Sequence, residues 1–188
     1  ASIIDPRTGE ILKGKVTLGS LRVRQDYLIA QGLIGNFITD TTATAEMRKM
    51  ALLRLKQLAA HEVGHTLGLP HNYISSIHGR ASVMDYPHPL VTEKNGKISL
   101  ENAYTEEIGE YDKSSIQWGY AEIPSGVDEK QELERIVQNM FKKKLKFLTD
   151  QDARPDGSLH PQTHLWDNAS DPVDELRRVS KIRHAVLQ

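Results

Sequence analysis

Apolar residues recur at three- and four-residue spacing through the stretch that leads to His61, with Met47, Met50, Ala51, Leu55, Leu58 and Ala59 on one stripe. That period predicts a long amphipathic helix whose methionines fill a core. Asp40, Thr41 and Thr42 compete as its N-cap, and Glu46 suits its first turn. Ser20 can cap a shorter helix over residues 20–31, with Leu21, Tyr27, Leu28 and Ala30 as core contacts, before Gly32 and Gly35 break the pattern. Earlier still, Asp5-Pro6-Arg7-Thr8-Gly9 has turn chemistry. The alternation after it puts Leu12, Gly14, Val16 and Leu18 on one face and Ile11, Lys13, Lys15 and Thr17 on the other. This reads as a strand with one wet face, its lysines guarding an edge.

Beyond residue 70, Asn95-Gly96 between residues 91–94 and 97–100 is the strongest hairpin signal, a rim of a cleft or a plain solvent-facing ribbon. Residues 110–119 predict a short helix carrying Ile116 and Trp118 toward a core. Asp128 and Gln131 mark the start of another, with Leu133, Ile136, Val137, Met140, Phe141 and Leu145 as its apolar stripe. Residues 150–168 are loop-like and rich in possible ligands: Asp150, Asp152, Asp156, His160, His164 and Asp167. They suit either a hydrogen-bonded wall of a pocket or a second metal site. Asp171 as N-cap and Pro172 at the first helical position open a last helix, with Val173, Leu176, Val179 and Ile182 inward.

Composition narrows the class. The chain has 188 residues, 38% hydrophobic and 26% charged, enough for one domain with a core. A formal net charge of -1 gives no global attraction to nucleic acid or anionic membrane. The basic run Lys142, Lys143, Lys144 and Lys146 sits where a helix dipole favours it, so a solvated helix end competes with a nucleic-acid patch. No apolar run approaches the roughly 20 residues of a membrane span. There is no cysteine, so metal chemistry falls to histidine and carboxylate.

That chemistry is concentrated in His61-Glu62-Val63-Gly64-His65-Thr66-Leu67-Gly68-Leu69-Pro70-His71. Residues four apart on a helix project from one face, so His61 and His65 can share one ion, with Glu62 beside them. His71, in a continued helix, would be rotated roughly 240° from His65 and carried about 9 Å onward. The helix must therefore stop, and Gly68 followed by Pro70 is the pairing that stops one. The chain can then turn back, making His71 a third ligand. Three imidazoles leave one coordination position of a zinc ion open, as in catalytic sites, and Glu62 is suited to general-base work. His78 is a fourth ligand or, more simply, a loop histidine.

This signature, followed by Ser82-Val83-Met84-Asp85-Tyr86, resembles the zinc motif and Met-turn of the metzincin metalloproteases. Asp5-Pro6-Arg7-Thr8-Gly9-Glu10-Ile11, the helix over residues 45–60, and Thr149-Asp150-Gln151-Asp152-Ala153-Arg154-Pro155 look like the catalytic region of large bacterial zinc-dependent metalloproteases, the EcxA-type zinc-binding or Met-zincin domain. The resemblance implies an α+β fold, mostly helical, forming one catalytic domain over residues 1–188. Residues 1–69, with a small sheet and the zinc helix, would be its upper part, and residues 70–188, helical and carrying the Met-turn, its lower part. Metzincins build several strands and a long helix before the zinc helix, so part of the N-terminal sheet is expected to be lacking. The chain is then a piece of a longer one, whose other domains are partners.

The resemblance also implies roles. His61, His65 and His71 would hold one catalytic Zn2+, Glu62 would be the general base, and Met84 would form an apolar floor without binding metal. Tyr86 would reach the metal at rest and then the reacting carbonyl, or else be a tyrosine packed beside Pro87. The strand after Gly9 would pair with an extended substrate, or be a plain edge. The expected activity is a zinc endopeptidase acting on protein or peptide, in an extracellular or periplasmic setting. A zinc hydrolase of another substrate and a non-enzymatic binding module with an intact site are the alternatives.

Overall fold

The computed structural model describes residues 2–34, 41–94, 97–153, 155–158 and 160–187. Gly35, Asp40, Asn95, Gly96 and Arg154 lie outside the described residues, as do the side chains of Thr41 and Thr42, so the expectations resting on them are not addressed. The elements run β1 (Ser2–Ile4), β2 (Ile11–Gly14), α1 (Ser20–Ile34), α2 (Thr41–Thr66), a 3-10 turn (Ser75–His78), β3 (Thr92–Lys94), β4 (Lys97–Ser99), α3 (Glu110–Tyr120), α4 (Glu129–Lys142), α5 (Asp150–Ala153) and α6 (Pro172–Leu187). The class is α+β and mainly helical. Its strands form two separate antiparallel ribbons, β1 with β2 and β3 with β4.

The turn at Asp5 joins the first ribbon: Gly9 N–H donates to Asp5 O at 2.8 Å and Asp5 N–H to Glu10 O at 2.9 Å. The strand that follows is shorter than the alternation predicts, and its faces are not the predicted ones. Leu12 is 60% exposed, while Ile11 is half-buried and reaches Gly68 just past the end of α2. Gly14 lies against the side chain of Thr66, so β2 runs beside the last turn of α2.

Helix α2 has the buried stripe its period predicts, with Met47, Met50 and Ala51 at 3%, 0% and 2% exposure and Leu55, Leu58 and Ala59 partly buried. Ala30 and Ile34 of α1, Leu53, Leu100, Tyr104 and Ile182 of α6 close around Met47 and Met50. The face of α1 is only partly the expected one: Ala30 is buried and Tyr27 packs on the core, but Leu21 and Leu28 point to solvent and Asp26 and Ile34 are buried instead. Asp26 is drawn in by its ion pair with Arg22 at 3.2 Å and by the charge of Arg54 on α2, although burial still raises its pKa.

Helix α6 is rotated from its expected face for a similar reason. Its Asp171 cap forms, accepting from Val173 N–H at 2.8 Å. Glu175 is then buried, pairs with Arg178 at 2.6 Å and accepts from Asn168 N–H, while Arg178 donates to Val91 O. This polar seam takes the inner face, leaving Val173, Leu176 and Val179 outside and only Ile182 of the predicted stripe buried. Trp118 and Phe141, expected in the core, are also exposed, with Ile116 half-buried and Ile136 fully buried. Lys143 and Lys146 sit in the exposed basic run, bonded to Glu110 and Gln162.

Helix α3 positions the Met-turn. Asp112 is 1% exposed, and its carboxylate accepts from Ser82 Oγ, from Val83 N–H at 2.7 Å and from Gly109 N–H at 2.8 Å. At its other end Tyr120 donates to Leu67 O at 2.9 Å, just past α2. Asp112→Ala strands three donors at once, two of them buried, and is expected to cost roughly 3 to 5 kcal/mol. Urea denaturation measures it, and a loss below about 1 kcal/mol would show that the Met-turn does not depend on this carboxylate.

Candidate metal centre

The end of α2 is built as its sequence requires. Gly68 has φ +86°, a left-handed conformation costly for other residues. Leu69 N–H donates to Gly64 O at 3.0 Å and Gly68 N–H to His65 O at 3.1 Å, the two bonds of a Schellman cap. The chain reverses through Pro70 and brings His71 back. Among the described residues, His61, His65 and His71 each offer a ring nitrogen within 4.8 Å of the others.

Each ring has one nitrogen tied down by an acceptor. His61 Nδ1 donates to Val83 O at 2.7 Å, His65 Nδ1 to Leu69 O at 2.9 Å, and His71 Nδ1 to Asp150 Oδ2 at 2.7 Å. With Nδ1 carrying the proton, all three Nε2 lone pairs are free to ligate. His61 Nε2 is buried without a hydrogen-bond partner, and His65 Nε2 lies 3.2 Å from His71 Nε2, two acceptors facing each other. Nitrogens around a tetrahedral zinc stand about 3.3 Å apart, the spacing of the His65–His71 pair, and with all three within 4.8 Å of one another the donor set suits that ion. Burial is the main force on His61: it holds the ring's pKa down to about 4 against the opposite pull of the Val83 carbonyl. The ring therefore stays neutral, as a ligand must.

The floor and rim come from the Met-turn. Met84 is 0% exposed, and a Cβ on Gly64 would stand 2.4 Å from its Sδ, so α2 lies directly on the thioether. Tyr86 places its hydroxyl 3.0 Å from His71 Nε2, and its ring stacks on Trp166 with centroids 5.6 Å apart. Glu62 is half-buried beside His61 in the chain and makes no hydrogen bond or ion pair among the described residues. His78 is exposed on the 3-10 turn, outside the group of three, as a loop histidine.

Of the described residues in the ligand-rich segment 150–168, Asp150 alone joins the histidines, as His71's partner. It also accepts from Tyr73 OH at 3.1 Å. Local pattern marks Asp150 only as one of several possible ligands in a family-like segment, and does not mark Tyr73 or Trp166 at all. Asp152, Asp156, His160 and His164 are exposed. Asn72 secures the arrangement: its N–H donates to Met84 O at 2.9 Å, its Nδ2 to Lys146 O at 3.0 Å, and its Oδ1 accepts from Leu148 N–H at 3.2 Å.

Asp150→Ala is expected to lower zinc affinity about 10- to 100-fold, as loss of a ligand's outer partner typically does. Competition with a chromophoric chelator measures it, and unchanged affinity would make the contact incidental. A second expectation concerns protons. Between pH 6.5 and about 4 the unfolded chain protonates at His61 and the folded chain does not, so metal-free stability falls as pH falls through that window. The slope from this group approaches about 1.4 kcal/mol per pH unit. His61→Gln should remove it in denaturation series at several pH values, and identical slopes in both proteins would refute it. Asp85 and Asp167 contribute with opposite sign but cancel in the comparison.

None of the curated proteins and none of the solved structures compared with the chain matches it. Residues 43–188 match the profile of the Met-zincin family, a span containing the three histidines, the Met-turn and Asp150. That family suggests a metallopeptidase, and its name implies the metal that three converging imidazoles suit. On this match, which covers most of the sequence, the chain belongs to the Met-zincin family.

Proposed function

We propose that the protein is a zinc-dependent endopeptidase that hydrolyses peptide bonds. The observation that carries this reading is the convergence of three imidazoles, each with its Nδ1 anchored, one of them followed in the chain by Glu62, which makes no hydrogen bond or ion pair among the described residues. Zinc, when bound, acts as a Lewis acid on water and on the scissile carbonyl. Glu62 takes the proton of the attacking water and delivers it to the leaving amine, so the carboxylate ends the cycle as it began. Tyr86, whose hydroxyl already sits against His71, turns to donate to the carbonyl oxygen as it gains charge. His61, His65 and His71 hold the ion, and Met84 fills the space beneath them. Strand β2, beside the end of α2, is our assignment for the segment that pairs with extended substrate.

Peptide hydrolysis by the zinc-loaded protein, measured with its metal content, tests the proposal. Glu62→Gln should keep stoichiometric zinc and lose nearly all turnover. Tyr86→Phe should lower turnover by about 10²- to 10³-fold with zinc content and stability nearly unchanged. No cleavage across a peptide library by zinc-loaded protein would point instead to another hydrolase or a binding module. Full activity in Glu62→Gln would remove the general-base assignment.

A further inference from the structure

Between α1, α6 and the residues that follow the Met-turn lies a cavity of about 600 Å³. A pocket of that size takes a small molecule. Its walls are mostly apolar: Ile29 and Leu33 come from α1, Pro87 and Val91 from the chain past the Met-turn, and Val179 and Ile182 from α6. Among the described residues the lining holds no aspartate, no glutamate and none of the three histidines of the metal centre, yet Arg22, Arg54, Arg178 and Arg183 all reach it. Neither His88 nor Tyr104, which also line it, adds a charge at neutral pH, because burial lowers the first pKa and raises the second to about 12.

The four arginines are not equivalent. Arg178 is held by Glu175 and the carbonyl of Val91, and Arg22 by Asp26. Arg183 is exposed near the end of α6, with no carboxylate partner among the described residues. Arg54 is the buried one, 3% exposed, and among the described residues no carboxylate lies within ion-pair distance of it. Its Nη1 donates to Gln57 Oε1, its guanidinium carbon lies 5.4 Å from the centre of the Tyr104 ring, and its Nε has no hydrogen-bond partner. Asp26 is near enough to attract it, but that carboxylate is bonded to Arg22, and burial raises its pKa. Burial also lowers the pKa of Arg54, yet a guanidinium keeps its proton inside a protein. A positive charge therefore stands in an apolar wall with its bonding incomplete.

The open edge of that guanidinium, Nε with Nη2, is the one that takes a carboxylate through two parallel bonds. A phosphate would bring more oxygens and more charge than this wall can bond. An uncharged apolar molecule would leave Arg54 unpaired, and a small hydrophilic anion would leave the apolar walls uncovered. We propose that the cavity binds a small amphipathic carboxylate, its charged end on Arg54 and its apolar body between α1 and α6. Trp166 belongs to both places: it lines the cavity, stacks on Tyr86 and donates its N–H to Tyr86 O at 3.1 Å. An occupant thus touches the residue against which Tyr86 rests. The inference stands on the lining of the cavity and is independent of peptidase activity.

Calorimetric titration of the zinc-loaded protein at neutral pH with octanoate, octanol and acetate tests it. Octanoate is expected to bind, and the alcohol and acetate each to bind at least about tenfold more weakly. Arg54→Gln should weaken octanoate about tenfold or more and leave octanol unchanged. If Arg54→Gln does not fold, Val179→Phe, at an exposed position of the wall, takes its place by narrowing the cavity and should weaken octanoate about tenfold. No octanoate binding in the wild type, or binding no tighter than that of octanol, would overturn the proposal. Equal octanoate binding by the wild type and the variant would overturn it too, by placing the acid elsewhere, as on the zinc.

Discussion

The hydrogen bond from His61 Nδ1 to the carbonyl of Val83 joins the two halves of the metal centre. One end belongs to a helix whose register sets His61 and His65 on one face; the other belongs to a turn with no regular structure of its own. That turn is therefore held from outside. Asp112 gathers the Ser82 hydroxyl and the Val83 amide, Gln57 donates to the same Val83 carbonyl at 3.2 Å, and Asn72 binds the carbonyl of Met84. Each bond is buried, so each carries a desolvation penalty if broken. The position of Tyr86 is a by-product of this fastening, because it follows the fastened residues directly.

The third histidine is held differently. Past its glycine stop the chain has no helix to continue, and His71 takes its orientation from Asp150 and from the neighbouring bonds of Asn72 and Tyr73 to residues 146–150. Burial governs the first ring, and a carboxylate governs the third. The same ion would thus be held by ligands set in two ways, one ring kept neutral by burial and one oriented by a carboxylate.

The legible part of the site was the part ruled by local geometry. A four-residue spacing, a glycine at the right offset and a proline behind it bring three imidazoles together, and distant contacts then orient the rings. The core methionines of α2 were legible for the same reason. The faces of α1 and α6 are only partly legible because they carry Asp26 and Glu175 inward, each drawn in by an arginine, and hydrophobic period cannot foresee a buried ion pair. Asp150 was seen only as one of several possible ligands, since its contact with His71 crosses most of the lower chain. Strand β1, three residues long, has too few positions to make a period.

The separation between His71 and Asp150, 79 positions, also bears on the order of events as the chain forms. Closing so long a loop costs entropy that must be spent before the contact returns anything. A nascent chain that has reached His71 already carries all three imidazoles of the site but lacks the group that sets the last one. Tight metal capture would then be a late step, following the folding of the segment that ends in α5.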